Sequence, residues 1–238
     1  MKLRELFETY VSRGSFKSLG GEGLSTLKGL DIPDIIIGNF YCCANHLTSL
    51  EFGPKEVDGD FFCYDNFLSS LEHCPTIIGK TFDCSNNQFT SLEFGPTSVG
   101  QDFHCQKNKL TSFEFMPKEI DGEVNCHNNQ FTSLEHCPNK INGEFDCHKN
   151  KITSLQGIHK LFEGGYIKGE FDLNSNPITS HVLGLLLIPE LPSVLYFEGN
   201  KDCIAAIKII NKHLAGDRDV IDCQQELIEA GLKQFAQL

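Results

Sequence analysis

Apolar residues recur through the middle of the chain at one fixed interval. Counted from a repeated asparagine, an aromatic residue or valine lies five residues before it, a cysteine three before, and a leucine, phenylalanine or isoleucine both two and five after. The asparagines, 21 residues apart, are Asn45, Asn66, Asn87, Asn108, Asn129 and Asn150. A period of about 20 to 29 residues is typical of a solenoid, in which each coil buries its core against its neighbours. We therefore predict a repeat solenoid over residues 24–200, with about eight units.

Each unit predicts one short strand. In the segment Gly-x-Phe-x-Cys-x-x-Asn, the aromatic residue and the cysteine alternate with polar residues, which places both on the inner side of a strand. Stacked units would pair these strands in one parallel sheet. The asparagine turns inward after the strand, where its carboxamide can bond backbone groups that water does not reach. A proline nine residues later then turns the chain back along the outer side.

The two ends of the chain have a different apolar spacing. Residues 2–13 place Leu3, Leu6 and Phe7 at helical spacing, so residues 1–23 are predicted to form an N-terminal helical cap. Residues 201–238 are predicted to form a C-terminal helical cap, whose last helix would begin at Asp217 or Asp219. An insertion near 157–168 predicts a bulge, and residues 192–200 resemble a weak final unit.

The repeat resembles the leucine-rich repeat family, whose core sequence is Leu-x-x-Leu-x-Leu-x-x-Asn-x-Leu. Its Pro-x-x-Ile segment is most similar to the short bacterial type, in which Pro-x-x-Leu occupies the same place. The units depart from that family in three ways: Cys or Phe replaces strand leucines, Glu stands where a second Pro is common, and the unit has 21 residues. The resemblance implies a leucine-rich-repeat horseshoe or rod with a stacked parallel β-sheet, which binds proteins on its concave strand face.

The net charge and the cysteine content limit which classes of binding partner and which cellular compartment we expect. The formal charge of −12 disfavours direct nucleic-acid binding, which needs basic residues against phosphate, and favours a basic protein partner. No apolar run reaches the length of a membrane span, so we expect no membrane association. Six of the eleven cysteines fall in one inward column, which indicates a reducing environment and a cytoplasmic protein.

The candidate partner-binding residues are the outward positions near the strand, where the repeats differ from one another. Large aromatic residues occupy these positions at the N-terminal end, and acidic residues and histidines occupy them further along. The set comprises Tyr41, Phe62, Tyr64, Asp60, Asp83, Asp102, His104, Glu123, His127, Glu144, Asp146 and His148. Exposed aromatic residues suit an interface, but the N-terminal helix could instead fold over them, and the acidic stripe could simply be a solvated face.

Two further patterns have simpler interpretations. A second acidic ladder from Glu51 to Glu135 is most simply a product of duplication. His127 and His148 could hold a transition metal with a nearby carboxylate, but ordinary surface histidines are the more common case, so we expect no metal and no cofactor.

The sequence contains none of the common catalytic motifs, so we expect a non-enzymatic binding module. The predicted role is that of an inhibitor or adaptor that engages one basic protein, and one version of it is a viral or bacterial blocker of a host factor. The alternatives are capture of a small molecule or metal on the concave face, as a sponge or sensor, and a structural role in an assembly.

Overall fold

The computed structural model describes residues 11–13, 16–188, 191, 195 and 201–238. Its main body is a solenoid of stacked parallel strands that repeats about every 21 residues, so the predicted repeat solenoid is confirmed. The regular coils present a strand with an inward Phe or Val on one side and a strand with an inward Ile or Val on another.

The strands that carry the inward phenylalanine, or valine in Val124–Asn125, form one seven-stranded parallel sheet, which we call the front sheet. Every strand pairs with the strand of the next coil in the same register, so that Phe61 lies beside Phe40 and Phe82 beside Phe61. Its strands are Phe40–Tyr41, Phe61–Phe62, Phe82–Asp83, Phe103–His104, Val124–Asn125, Phe145–Asp146 and Phe171–Asp172. The predicted pairing of these strands in one parallel sheet is therefore confirmed.

The Pro-x-x-Ile segments also form parallel strands, which the repeat pattern did not predict. Val57, Ile78 and Val99 point into the core from these strands, and their backbones pair from coil to coil. A five-stranded sheet contains Val11–Arg13, Ile35–Ile37, Glu56–Val57, Ile77–Ile78 and Ser98–Val99, and a three-stranded sheet contains Glu119–Ile120, Lys140–Ile141 and Tyr166–Ile167.

The N-terminal end of the stack is covered by extended chain. Val11–Arg13 pairs in parallel with Ile35–Ile37, so the last part of the predicted helix over 2–13 is a strand, because the open edge of that sheet supplies backbone partners. Residues 1–10 lie outside the described part of the chain. On the front sheet, Leu19 N–H donates to the Tyr41 carbonyl at 2.8 Å and Phe16 N–H donates to Asn39 at 3.2 Å.

The inner columns form the core of the stack. Phe40, Phe61, Phe82 and Phe103 are buried and follow one another with ring centroids 5.8, 5.9 and 5.3 Å apart. All eleven cysteines are free and buried. Burial raises the pKa of the thiols of Cys63 and Cys84 in the inward cysteine column, so these two residues behave as small apolar side chains.

The inward asparagines link adjacent coils through their carboxamides. Asn87 Nδ2 donates to the carbonyls of Cys84 and Ser85 in its own coil and, at 3.0 Å, to Cys63 in the preceding coil. Its Oδ1 accepts the N–H of Leu68 at 2.9 Å. Asn176 repeats the arrangement beyond the six regular copies, with bonds to Cys147, Leu173 and Ile152. The carboxamides therefore satisfy buried backbone groups where the chain leaves the sheet.

A glycine column marks where two coils approach most closely. A β-carbon added at Gly143 would lie 2.7 Å from the backbone nitrogen of Glu123 and 2.7 Å from the carbonyl oxygen of Gly122. These distances are shorter than a van der Waals contact, so a side chain there would force the coils apart.

The C-terminal end of the stack packs against helices. Helix α1, Ile158–Leu161, lies in the insertion, and a 3-10 helix spans Leu183–Leu187. Helices α2, Lys201–Leu214, and α3, Val220–Glu229, follow, and Asp219 is the N-cap of α3 because its Oδ1 accepts the N–H groups of Ile221 and Asp222. In the weak unit predicted over 192–200, only residue 195 is described.

No helix in the described part of the chain is both long enough and apolar enough to cross a lipid bilayer.

We expect Asn87→Ala to lower the free energy of unfolding by about 1 to 3 kcal/mol, because several buried backbone groups would lose their partners. Urea unfolding followed by circular dichroism measures this change. Gln88→Ala, at an exposed neighbouring position, is the matched control and should change stability by less than about 0.5 kcal/mol. Equal stability of the two variants would contradict a structural role for the carboxamide.

We also expect Gly143→Ala to destabilise the protein by about 1 to 3 kcal/mol, since the added methyl group meets the backbone of the preceding coil. Thermal unfolding compares it with Thr132→Ala, an exposed position in the same part of the stack. A Gly143→Ala variant as stable as the wild type would show that the coils are not so closely stacked.

Candidate functional site

The outer surface of the front sheet holds most of the residues predicted to bind a partner. In each coil the second strand residue and the residue two positions later face away from the core, because side chains alternate along a strand. Parallel pairing brings equivalent positions of adjacent coils side by side. Residues far apart in sequence therefore form continuous rows across this surface.

Three aromatic residues at the N-terminal end form the aromatic cluster: Tyr41, Phe62 and Tyr64. The ring centroids of Tyr41 and Phe62 are 4.9 Å apart in a stacked arrangement, and those of Phe62 and Tyr64 are 6.0 Å apart. All three side chains are partly exposed. The alternative that the N-terminal helix covers them concerns residues 1–10, which are outside the described chain.

Both tyrosine hydroxyls are held by neighbours. Tyr41 Oη donates to Asp60 Oδ2 at 3.3 Å, and burial, followed by the charge of Asp60, raises the pKa of Tyr41. A hydrogen bond with Cys43, followed by burial, raises the pKa of Tyr64 to about 12. The hydroxyls are therefore protonated at neutral pH, and the cluster is a fixed, uncharged surface.

Some members of the acidic row six residues before the asparagines hold the backbone of an adjacent coil. Asp60 Oδ1 accepts the N–H of Thr81 at 3.3 Å, and Asp102 Oδ1 accepts the N–H of Glu123 at 2.9 Å. Each carboxylate therefore bonds the backbone of the next coil, as Asn39 does for Asp60. Periodicity alone did not reveal this role, because an outward carboxylate can bond backbone or solvent equally well.

His104 lies between two carboxylates of the coils on either side. Its Nε2 is 2.7 Å from Glu123 Oε1 and its Nδ1 is 3.8 Å from Asp83 Oδ2. Burial lowers the pKa of His104, but hydrogen bonds and charge attraction from Asp83 and then Glu123 outweigh it, and the net pKa is raised. The acidic face thus contains a histidine that holds a proton more tightly than usual.

A second histidine group, the His–Asp–His cluster, consists of His127, Asp146 and His148. The rings of His127 and His148 stack with centroids 4.4 Å apart, and His148 Nδ1 is 2.6 Å from Asp146 Oδ1. Potential ligand atoms of the three residues all lie within 4.8 Å of one another. Burial lowers the pKa of His127, although the charge of Asp146 opposes this.

Negative charge accumulates beside this cluster. Burial raises the pKa of Glu144, and the charges of Asp146, Glu170, Glu123 and Asp172 raise it further. These carboxylates repel one another across adjacent coils, so a cation or a basic surface placed here would be stabilised.

A row of exposed aromatic residues on another side of the solenoid was not predicted. Phe52, Phe94 and Phe115 are 47%, 59% and 51% exposed and have φ values of 69°, 65° and 69°. Bulky residues rarely adopt this left-handed conformation, which usually selects glycine or asparagine. The signal in the sequence was a bulky residue directly after a glutamate of the exposed ladder from Glu51 to Glu135, as in Glu51-Phe52, Glu93-Phe94 and Glu114-Phe115.

No protein-family model matches this chain, and comparison with curated proteins and with solved structures found no match to it either. The functional assignment therefore depends on the surface chemistry described above.

The position of His104 predicts a pH dependence. With its folded-state pKa raised, His104 contributes stability that is fully present below its ordinary pKa of 6.5 and is lost as the pH rises through the raised value. Glu123→Gln should lower the pKa of His104, and an NMR titration of the ring resonances measures this. Glu114→Gln, an exposed position outside the contacts of His104, should leave that pKa unchanged. A pKa of 6.5 or below in the wild type would contradict the assigned contacts.

Proposed function

We propose that this protein is a non-enzymatic protein-binding module that engages a partner through the outer surface of the front sheet. The observation that supports this most strongly is the aromatic cluster, in which Tyr41, Phe62 and Tyr64 are partly exposed on adjacent coils. Rigid aromatic residues of this kind dominate binding energy at protein interfaces, because they bury large areas at a small entropic cost.

The charge next to the cluster supports a basic partner. Asp60 adjoins Tyr41, and Asp83, Asp102, Glu144 and Asp146 continue the acidic surface away from it. A partner with an apolar anchor and flanking lysines or arginines would cover the aromatic cluster and relieve the repulsion among the carboxylates. Such complementarity increases the association rate and restricts the choice of partner.

The regular backbone of the solenoid favours an inhibitor or adaptor over an enzyme. The outward rows have fixed spacing and pairing, which suits recognition of an extended surface. We further propose a leucine-rich-repeat affiliation, supported by the inward asparagines and the Pro-x-x-Ile segments, with the front sheet as the concave face. Eleven free, buried thiols support a cytoplasmic location.

The test is capture of a partner by immobilised protein, followed by measurement of its affinity. Changing Tyr41, Phe62 and Tyr64 together to Ala should weaken binding by at least about tenfold. Raising the salt concentration from about 0.1 M to about 0.5 M should weaken the wild-type complex, because the acidic surface contributes through charge. Circular dichroism would verify that the triple variant remains folded.

A matched control uses the other aromatic row. Changing Phe52, Phe94 and Phe115 together to Ala removes a comparable number of exposed rings from a different side of the solenoid and should leave the affinity unchanged. The proposal is wrong if the control variant loses binding while the front-sheet variant retains it, or if the wild type captures no partner. An affinity independent of salt would refute the electrostatic contribution.

A further inference from the structure

We propose that His127, Asp146 and His148 form a binding site for a divalent transition-metal ion of the Zn²⁺ type. This site goes beyond the proposed protein-binding function, since it requires neither the aromatic cluster nor a partner. Two imidazoles and a carboxylate are the donor set found in many such centres.

The solenoid itself brings the three donors together. His127 and His148 occupy the same outward position in adjacent coils, two residues after the paired strand residues Asn125 and Asp146. Parallel pairing therefore places one imidazole over the other, with centroids 4.4 Å apart and planes inclined by 18°. Asp146 lies on the same face as His148 because it is two residues earlier in the same extended segment.

The distances suit an ion after small side-chain movements. Metal–ligand bonds of about 2.0 to 2.2 Å in a tetrahedral site place donor atoms about 3.4 Å apart. The farthest of the proposed donors are within 4.8 Å of one another, and the Asp146–His148 pair is at 2.6 Å. Rotations of these partly exposed side chains can open the short contact and close the long ones, while the paired backbone remains in place.

A fourth donor and the local charge favour a cation further. Asp172 Oδ2, from the next coil, is 3.9 Å from His148 Nδ1. Glu144 and Glu170 add negative charge beside the same row. An ion here would take the place of the proton that Asp146 and His148 share, and it would join the coils that carry His127, His148 and Asp172.

The donor chemistry predicts which ions bind. Imidazole nitrogen is preferred by Zn²⁺, Co²⁺, Ni²⁺ and Cu²⁺, whereas Mg²⁺ and Ca²⁺ prefer sites made of oxygen alone. His104 provides an internal comparison, because it contacts the carboxylates of Asp83 and Glu123, and the positions paired with it in the adjacent coils are Asp83 and Asn125 instead of histidine. That group should bind Zn²⁺ more weakly than the His–Asp–His cluster.

The experiment is a titration of tag-free, metal-stripped protein with Zn²⁺ in competition with a chromophoric chelator. The wild type should bind about one ion per chain, and a large excess of Mg²⁺ should not displace it. The double variant His127→Gln/His148→Gln should bind Zn²⁺ at least about tenfold more weakly. Zn²⁺ should also raise the unfolding temperature of the wild type but not that of the double variant.

Two controls make the result specific. His73→Gln/His136→Gln removes the same number of histidines from exposed turns and should bind Zn²⁺ like the wild type. Absorption spectra of the Co²⁺-substituted protein should show the weak visible bands of nitrogen and oxygen ligands. Strong near-ultraviolet thiolate bands would instead assign the ion to cysteine and overturn the proposal, as would equal affinity of the wild type and the double variant or failure of the wild type to bind Zn²⁺.

Discussion

Close backbone stacking of successive coils is the constraint on which the rest of this structure depends. Parallel strands pair in register on two sides of the coil, and at Gly143 the approach leaves no room for a β-carbon. The regular coils then have the same length and bend at the same points, and the longer coil places its extra residues around helix α1. Buried backbone groups that are outside the strands still need partners, and carboxamides such as that of Asn87 supply them.

Much of the fold could be predicted from the sequence, because stacking requires the same types of inward residue at the same positions of every regular coil. The buried residues Phe61, Cys63 and Leu68 have equivalents at regular intervals along the sequence, and so does the inward Asn66. The second set of strands was missed because Glu56–Val57 and its equivalents contribute only one inward residue each, which leaves no alternation to detect. The spacing of apolar residues over 2–13 predicted a helix that included Val11–Arg13. These residues form a strand instead, because they pair with the edge strand Ile35–Ile37, and the spacing of nearby residues does not show such an edge.

The candidate site was less accessible to sequence reasoning. Outward positions could be placed on one face, but the contacts of individual side chains depend on rotamers that periodicity does not determine. Asp102 bonds the backbone of the next coil instead of facing only solvent, and His104 lies between two carboxylates. The left-handed conformation of Phe94 was also hidden, because a bulky residue is not expected there.

The same stacking explains how one scaffold can present several kinds of chemistry. Inward residues are constrained by packing, whereas outward positions change from aromatic at Phe62 to acidic at Asp146 without altering the coil. The most direct test of this account is hydrogen exchange measured for each amide by NMR. The amides of Leu47, Leu68, Phe89, Leu110 and Phe131 lie outside the strands but donate to asparagine side chains, so they should exchange as slowly as the front-sheet amides. Exchange of these amides as fast as in exposed turns would contradict the stacked arrangement.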